Sequence, residues 1–88
     1  MASSSTTPNL ILYSTLGCHL CEQAQALLQE LARSEPLQWQ VVDIVDSDAL
    51  MDRYAIRIPV LLCEGASDDL GWPFTLDEVR RYLRANHG

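Results

Sequence analysis

Two cysteines three residues apart, Cys18 and Cys21, stand in the segment Gly17-Cys18-His19-Leu20-Cys21. A C-x-x-C pair can hold zinc or a cluster, can cycle between dithiol and disulfide, or can simply pack. Zinc asks for about four ligands, and this segment offers only Cys18, Cys21 and His19. The remaining cysteine, Cys63, lies beyond Pro59 on what reads as a separate strand, where a free thiol packs as a small hydrophobe. Three cysteines are odd in number, and two of them are near neighbours, so they do not make a disulfide scaffold. No metal site is expected.

What decides between redox chemistry and packing is the element that carries the pair. Asn9-Leu10-Ile11-Leu12-Tyr13 is a short apolar run after a proline and reads as a buried strand. Ser14-Thr15-Leu16-Gly17 is a loop. Apolar residues at Leu20, Ala24, Leu27, Leu28 and Leu31 then follow a helical period, and Glu35-Pro36 ends the run. The pair thus opens a helix, where unpaired N–H groups and a partial positive charge favour thiolate over thiol. This predicts a lowered pKa at Cys18. It makes Cys18 the attacking thiolate and Cys21, one helical turn on, the resolving thiol. An imidazolium at His19 aimed at the sulfur would add to that effect; Glu22 places a negative charge nearby.

The rest of the chain supplies the frame. Leu37 to Ile44 suits a second strand, and Asp46 or Ser47 can cap a short helix reaching about Tyr54. Ile58-Pro59-Val60-Leu61-Leu62-Cys63 reads as a third strand and Asp69-Leu70-Gly71-Trp72 as a short fourth. Thr75-Leu76-Asp77-Glu78 fits a capping box opening a last helix, whose face is Leu76, Val79, Tyr82 and Leu83. The order is β-α-β-α-β-β-α. A βαβ start implies parallel strands with a right-handed crossover, and the step near Gly65 implies an antiparallel hairpin. The expectation is an α/β domain over residues 9–88, a four-stranded mixed sheet flanked by helices, with residues 1–8 a polar, disordered tail.

Charge and hydropathy narrow the function. The net charge is −6, which argues against a nucleic-acid partner, since phosphate binding needs a basic face. All six cations are arginines. No apolar run approaches the roughly 18 residues of a membrane span, and the opening residues lack the pattern of a secretory signal. A cytoplasmic monomer is expected.

With strand, C-x-x-C, helix and Ile58-Pro59 in place, the chain resembles the thioredoxin superfamily. It is most similar to its glutaredoxin-like branch and to the small bacterial proteins there. Tyr13-Ser14-Thr15-Leu16-Gly17-Cys18-His19-Leu20-Cys21 matches the family's strand, loop and motif. Tyr54-Ala55-Ile56-Arg57-Ile58-Pro59-Val60-Leu61 resembles the segment carrying its cis-proline. The resemblance implies a thioredoxin-like fold and thiol–disulfide oxidoreductase activity at Cys18 and Cys21. It implies a cis Ile58-Pro59 bond facing the pair and a backbone at Ile58 that hydrogen-bonds an extended substrate. It places Arg57, with Arg53, near an acidic ligand. Partners would be a disulfide-containing protein or a low-molecular-weight thiol. No resident cofactor is implied, with glutathione the candidate co-substrate. The departures fall on glutathione binding. His19-Leu20 replaces Pro-Tyr, no lysine precedes the motif, and Gly71-Trp72-Pro73-Phe74-Thr75 has one glycine where the family carries two. The competing readings are a binding module that keeps the fold but holds a metal or a protein, and a redox-inert adaptor using Trp72, Pro73 and Phe74.

Overall fold

The computed structural model describes residues 9–86, so the expected tail at 1–8 lies outside the described residues. Its elements follow the predicted order: β1 (Asn9–Ser14), α1 (His19–Ala32), β2 (Gln38–Asp43), a 3-10 turn (Ile44–Asp46), α2 (Asp48–Tyr54), β3 (Val60–Cys63), β4 (Leu70–Gly71) and α3 (Leu76–Asn86). The sheet runs β2-β1-β3-β4. β1 pairs parallel with β2 and antiparallel with β3, and β3 pairs antiparallel with β4.

Alternation along β1 divides the core between the two faces of the sheet. Leu10 and Leu12 point into the larger cluster, with Ala24, Leu28 and Leu31 of α1 and Val79 and Leu83 of α3. Ile11 and Tyr13 point the other way, where Tyr13, Ile44, Tyr54 and Val60 form a second cluster under α2. A strand buried on both sides is apolar at nearly every position, as the β1 run is. Ile44 corrects the sequence reading: it is buried, but in the 3-10 turn after β2 rather than in the strand. Leu20 is a second correction. It keeps the helical period yet is exposed at the start of α1, and the buried position there belongs to Cys21.

The helix ends are built by local hydrogen bonds. Ser47 Oγ accepts from the Leu50 N–H at the start of α2 (3.3 Å). At α3 the capping box is complete: Thr75 Oγ1 accepts from the Glu78 N–H (3.1 Å), and Glu78 Oε1 accepts from the Thr75 N–H (2.9 Å). No helix among the described residues is long and apolar enough to cross a membrane.

Candidate functional site

The register of β1 against β3 sets the position of the site. Tyr13 pairs with Val60, so the loop leaving β1 and the Ile58-Pro59 segment entering β3 meet at one end of the sheet. Leu10 pairs with Cys63, three residues back, which puts Cys63 about 10 Å toward the other end. Cys63 therefore does not join Cys18 and Cys21. Among the described residues no three His, Cys, Asp or Glu side chains gather as a metal-ligand set.

Cys18 is the N-cap of α1. Its backbone is extended (φ −89°, ψ 108°), and its Sγ accepts a hydrogen bond from the Cys21 N–H (3.1 Å). Its carbonyl accepts from the Glu22 N–H (3.1 Å), the first bond of the helix. Gly17 supplies the left-handed turn (φ +76°) that brings the chain from the loop into the cap, a conformation that costs glycine little. The sulfur thus sits where the helix presents an unpaired donor and the positive end of its dipole.

Cys18 and Cys21 are joined as a disulfide, with their Cα atoms 5.2 Å apart. Their surroundings differ. Cys18 is half-buried, whereas Cys21 is 2% exposed and packed under the first turn. His19 is exposed beside them, and the hydrogen bond that Cys18 Sγ receives comes from the backbone. A cleft of about 270 Å³ opens at the pair; Leu16, Cys18, Glu22, Val41 and Asp43 are among the residues that line it.

The Ile58-Pro59 bond is cis, as the resemblance implied, and Pro59 is buried. A second cis bond, Trp72-Pro73, was not anticipated. The Pro59 carbonyl accepts from the Trp72 N–H (3.2 Å), which ties the two proline segments together. The Ile58 N–H donates to the Tyr54 carbonyl (3.1 Å) and is thereby committed inside the protein.

Arg57, expected near an acidic ligand, has an acidic partner within the chain. Its guanidinium grips Asp69 with both terminal nitrogens, Nη1 to Oδ2 at 3.1 Å and Nη2 to Oδ1 at 2.5 Å. The pair holds the guanidinium charged and raises its pKa, through the hydrogen bond first and then, despite some desolvation, through the Asp69 and Tyr54 charges. Arg57 and Arg53 also flank the Tyr54 ring, each 5.8 Å from its centroid. Tyr54 in turn stacks on Tyr13 at 4.4 Å. Burial, followed by the neighbouring Tyr54, pushes the Tyr13 hydroxyl pKa up. Phe74 is a core residue, and Trp72 packs edge-on against it at 5.0 Å. Asp69 is the residue that sequence reading missed. It lies twelve positions from its partner, where no periodicity reports a contact.

A family model described as glutaredoxin-like domain (DUF836) matches residues 9–84. The chain is 38% identical to the structural-genomics target protein XcR50 from X. campestris, covering 86% of this chain and 96% of that one, with a TM-score of 0.72. Protein Ne2328 from Nitrosomonas europaea is 26% identical with a TM-score of 0.78, covering 93% and 98%. Thioredoxin 1 from Thermosipho africanus TCF52B, 12% identical with a TM-score of 0.59 over 91% and 99%, shares the fold. No curated protein matches the chain.

Proposed function

The chain belongs to the glutaredoxin-like domain family, and from that footing we propose that it is a thiol–disulfide oxidoreductase in which Cys18 attacks and Cys21 resolves. The observation that carries the reading is the asymmetry of the pair: a half-exposed sulfur on the N-cap, bonded to a partner that is 2% exposed. A nucleophile must be reached by substrate and favoured as thiolate, and the cap position answers both needs. A resolving thiol must reach the first sulfur and be shielded from other disulfides, which burial under the first turn achieves.

In the reducing direction the Cys18 thiolate attacks a substrate disulfide, forms a mixed disulfide and releases one substrate thiol. The Cys21 thiolate then attacks Cys18 Sγ, closes the Cys18–Cys21 bond and releases the second. Ile58 and Pro59 lie at the same end of the sheet as Cys18, which supports a role in seating an extended substrate. With its N–H given to Tyr54, Ile58 would meet that substrate through its carbonyl. The substrate is a disulfide-containing protein or a low-molecular-weight thiol in its oxidised form, with glutathione as a candidate co-substrate. The cytoplasm, where a reduced Cys63 persists, suits the cycle.

The test is timed alkylation of the reduced protein, read by intact and peptide mass. Cys18 is expected to label first and to do so well below pH 8.5, and mild oxidation is expected to remove the mass of two hydrogen atoms and block both Cys18 and Cys21. Labelling of Cys18 only at the rate of an ordinary free thiol, with no disulfide on oxidation, would overturn the reading.

A further inference from the structure

The cleft beside Cys18 carries an uneven charge. Its charged lining residues are Glu22, exposed on the first turn of α1, and Asp43 at the end of β2; among the described residues no cation lines it. Asp43 Oδ1 accepts from the Val45 N–H (3.0 Å), a bond that leaves its negative charge in place. Of the two arginines that the resemblance places near a ligand, Arg57 is engaged by Asp69 and Arg53 lies against the Tyr54 ring; neither is among the residues that line the cleft. Two exposed apolar side chains line this acidic cleft. Leu16 lines it while 90% exposed, Val41 lines it from β2, and Leu20 stands bare within the motif. At the same end of the sheet, on the turn before Ile58-Pro59, Ile56 is 99% exposed. Leu16 and Val41, exposed apolar side chains lining a cleft at a reactive group, mark a surface that a partner covers.

Glutathione fits such a surface poorly, because it brings two carboxylates against one ammonium and little apolar area. A polypeptide fits it well if its cysteine is flanked by a cation and by an aliphatic side chain. We propose, resting on the thiol–disulfide reading above, that this site selects polypeptide disulfides whose cysteine lies beside a lysine or arginine and an apolar residue, in preference to glutathione disulfide. The cation meets Glu22 and Asp43, and the apolar residue covers Leu16 and its neighbours. The chemistry is one two-electron exchange. Cys18 and Cys21 are oxidised to their disulfide, the substrate disulfide is reduced to two thiols, and the two protons leave the protein thiols for the substrate sulfurs by way of solvent. An external thiol or dithiol restores the reduced pair between turnovers; a single turnover needs none.

Single-turnover reduction by the prereduced full chain tests this. Five probes are compared, each rate divided by the rate of the same probe with dithiothreitol. One is a peptide whose cysteine follows a lysine and precedes a leucine, disulfide-bonded to a small neutral thiol. Two others exchange the lysine for glutamate or the leucine for serine. The last two are glutathione disulfide and the neutral hydroxyethyl disulfide. The lysine peptide is expected to react about tenfold faster than the glutamate peptide at low ionic strength, the usual scale of electrostatic steering. In about 0.5 M salt the gap should close to about twofold, since screening removes the long-range part. Glu22→Gln should narrow the low-salt gap about threefold, and Leu16→Ser should slow the leucine peptide without changing the lysine-to-glutamate ratio. Glutathione disulfide reacting as fast as the lysine peptide, or a ratio unmoved by Glu22→Gln, overturns the proposal. If hydroxyethyl disulfide also leaves Cys18 reduced, thiol–disulfide exchange itself fails and the selectivity falls with it.

Discussion

At one end of the sheet a cysteine stands on a helix cap, half-exposed, bonded to a buried partner one turn away. At the other end Cys63 sits inside β3, 4% exposed, among Leu10, Leu61 and Val79. The surroundings of Cys63 suppress its ionisation. Burial pushes its thiol pKa up from 9.0, and the charge of Glu64 adds to the shift. Its N–H donates to the Tyr82 hydroxyl (2.9 Å), which in turn donates to the Asp68 carbonyl (2.6 Å), so the β3 end is pinned to α3. On the proposed function, one residue type serves chemistry at one end and packing at the other. The difference lies in what each sulfur meets: a free backbone donor and a cleft for Cys18, aliphatic side chains for Cys63.

The largest effect expected from this contrast is on turnover. Cys18→Ser should lower disulfide reduction by about a thousandfold or more, because in the proposed cycle Cys18 begins the exchange and the remaining thiol of the pair, Cys21, is buried. Cys63→Ala should leave the rate within about twofold and cost about 1 kcal/mol of stability through the small void left in the core. Reduction assays and urea melts of the two variants would measure this. A large loss of rate in Cys63→Ala would break the division of roles.

A smaller effect concerns pH. In the oxidised protein Cys18 and Cys21 are bonded and do not titrate, so Cys63 is the thiol that counts. Its pKa is raised on folding, so the unfolded chain loses the thiol proton first as pH rises. Between the unfolded value near 9.0 and the higher folded value, the unfolded state binds fewer protons, and stability falls. The contribution is full below 9.0 and is lost as pH passes through the folded pKa. Tyr82 and Tyr13, both raised above 10.0 chiefly by burial, add a second decline at higher pH. The urea midpoint of the oxidised protein should therefore drop from about pH 8.5 upward. In Cys63→Ala the first part of that drop should disappear while the tyrosine part remains. An unchanged alkaline profile would show that Cys63 is less shielded than its place in β3 indicates.

The two ends were not equally legible in the sequence. Patterning that repeats along the chain reads directly: the apolar run of β1, the period of α1 and α3, and the Thr75–Glu78 box all appear at their expected places. The pair on a helix start follows from the same local rules. Local pattern gives no account of which side of a helix end meets solvent, so Leu20 keeps the helical period while Cys21 takes the buried place. It also could not assign Ile44, because a short turn after a strand can bury the same apolar residue against the other face of the sheet. Contacts between distant residues are the least visible. The hold of Asp69 on Arg57 and of Tyr54 on the Ile58 N–H both consume groups that sequence had offered to a ligand.

The smallest effect comes from the loop that joins the two ends. Asp68 gives its carbonyl to Tyr82 at the Cys63 end, and the next residue, Asp69, gives its carboxylate to Arg57 at the Pro59 end. Asp69→Asn removes the charge and leaves the Asp68 backbone contact alone. The ion pair is two-pronged but its arginine is 43% exposed, so the cost in stability should be under about 1 kcal/mol, read as a shift of the urea midpoint. The consequence for the site is more informative. Arg57 then carries an uncompensated positive charge at the sheet end where Cys18 lies, and attraction for an anionic disulfide should rise. Glutathione disulfide should be reduced about two- to threefold faster by Asp69→Asn at low ionic strength, with the gain erased by salt. Adding Arg57→Ala to Asp69→Asn should return the rate to that of the parent chain, since the freed guanidinium is what produces the gain. A glutathione rate that rises equally in the double variant would assign the effect to the lost Asp69 charge alone, and Arg57 would then have no part in setting which disulfides the pair accepts.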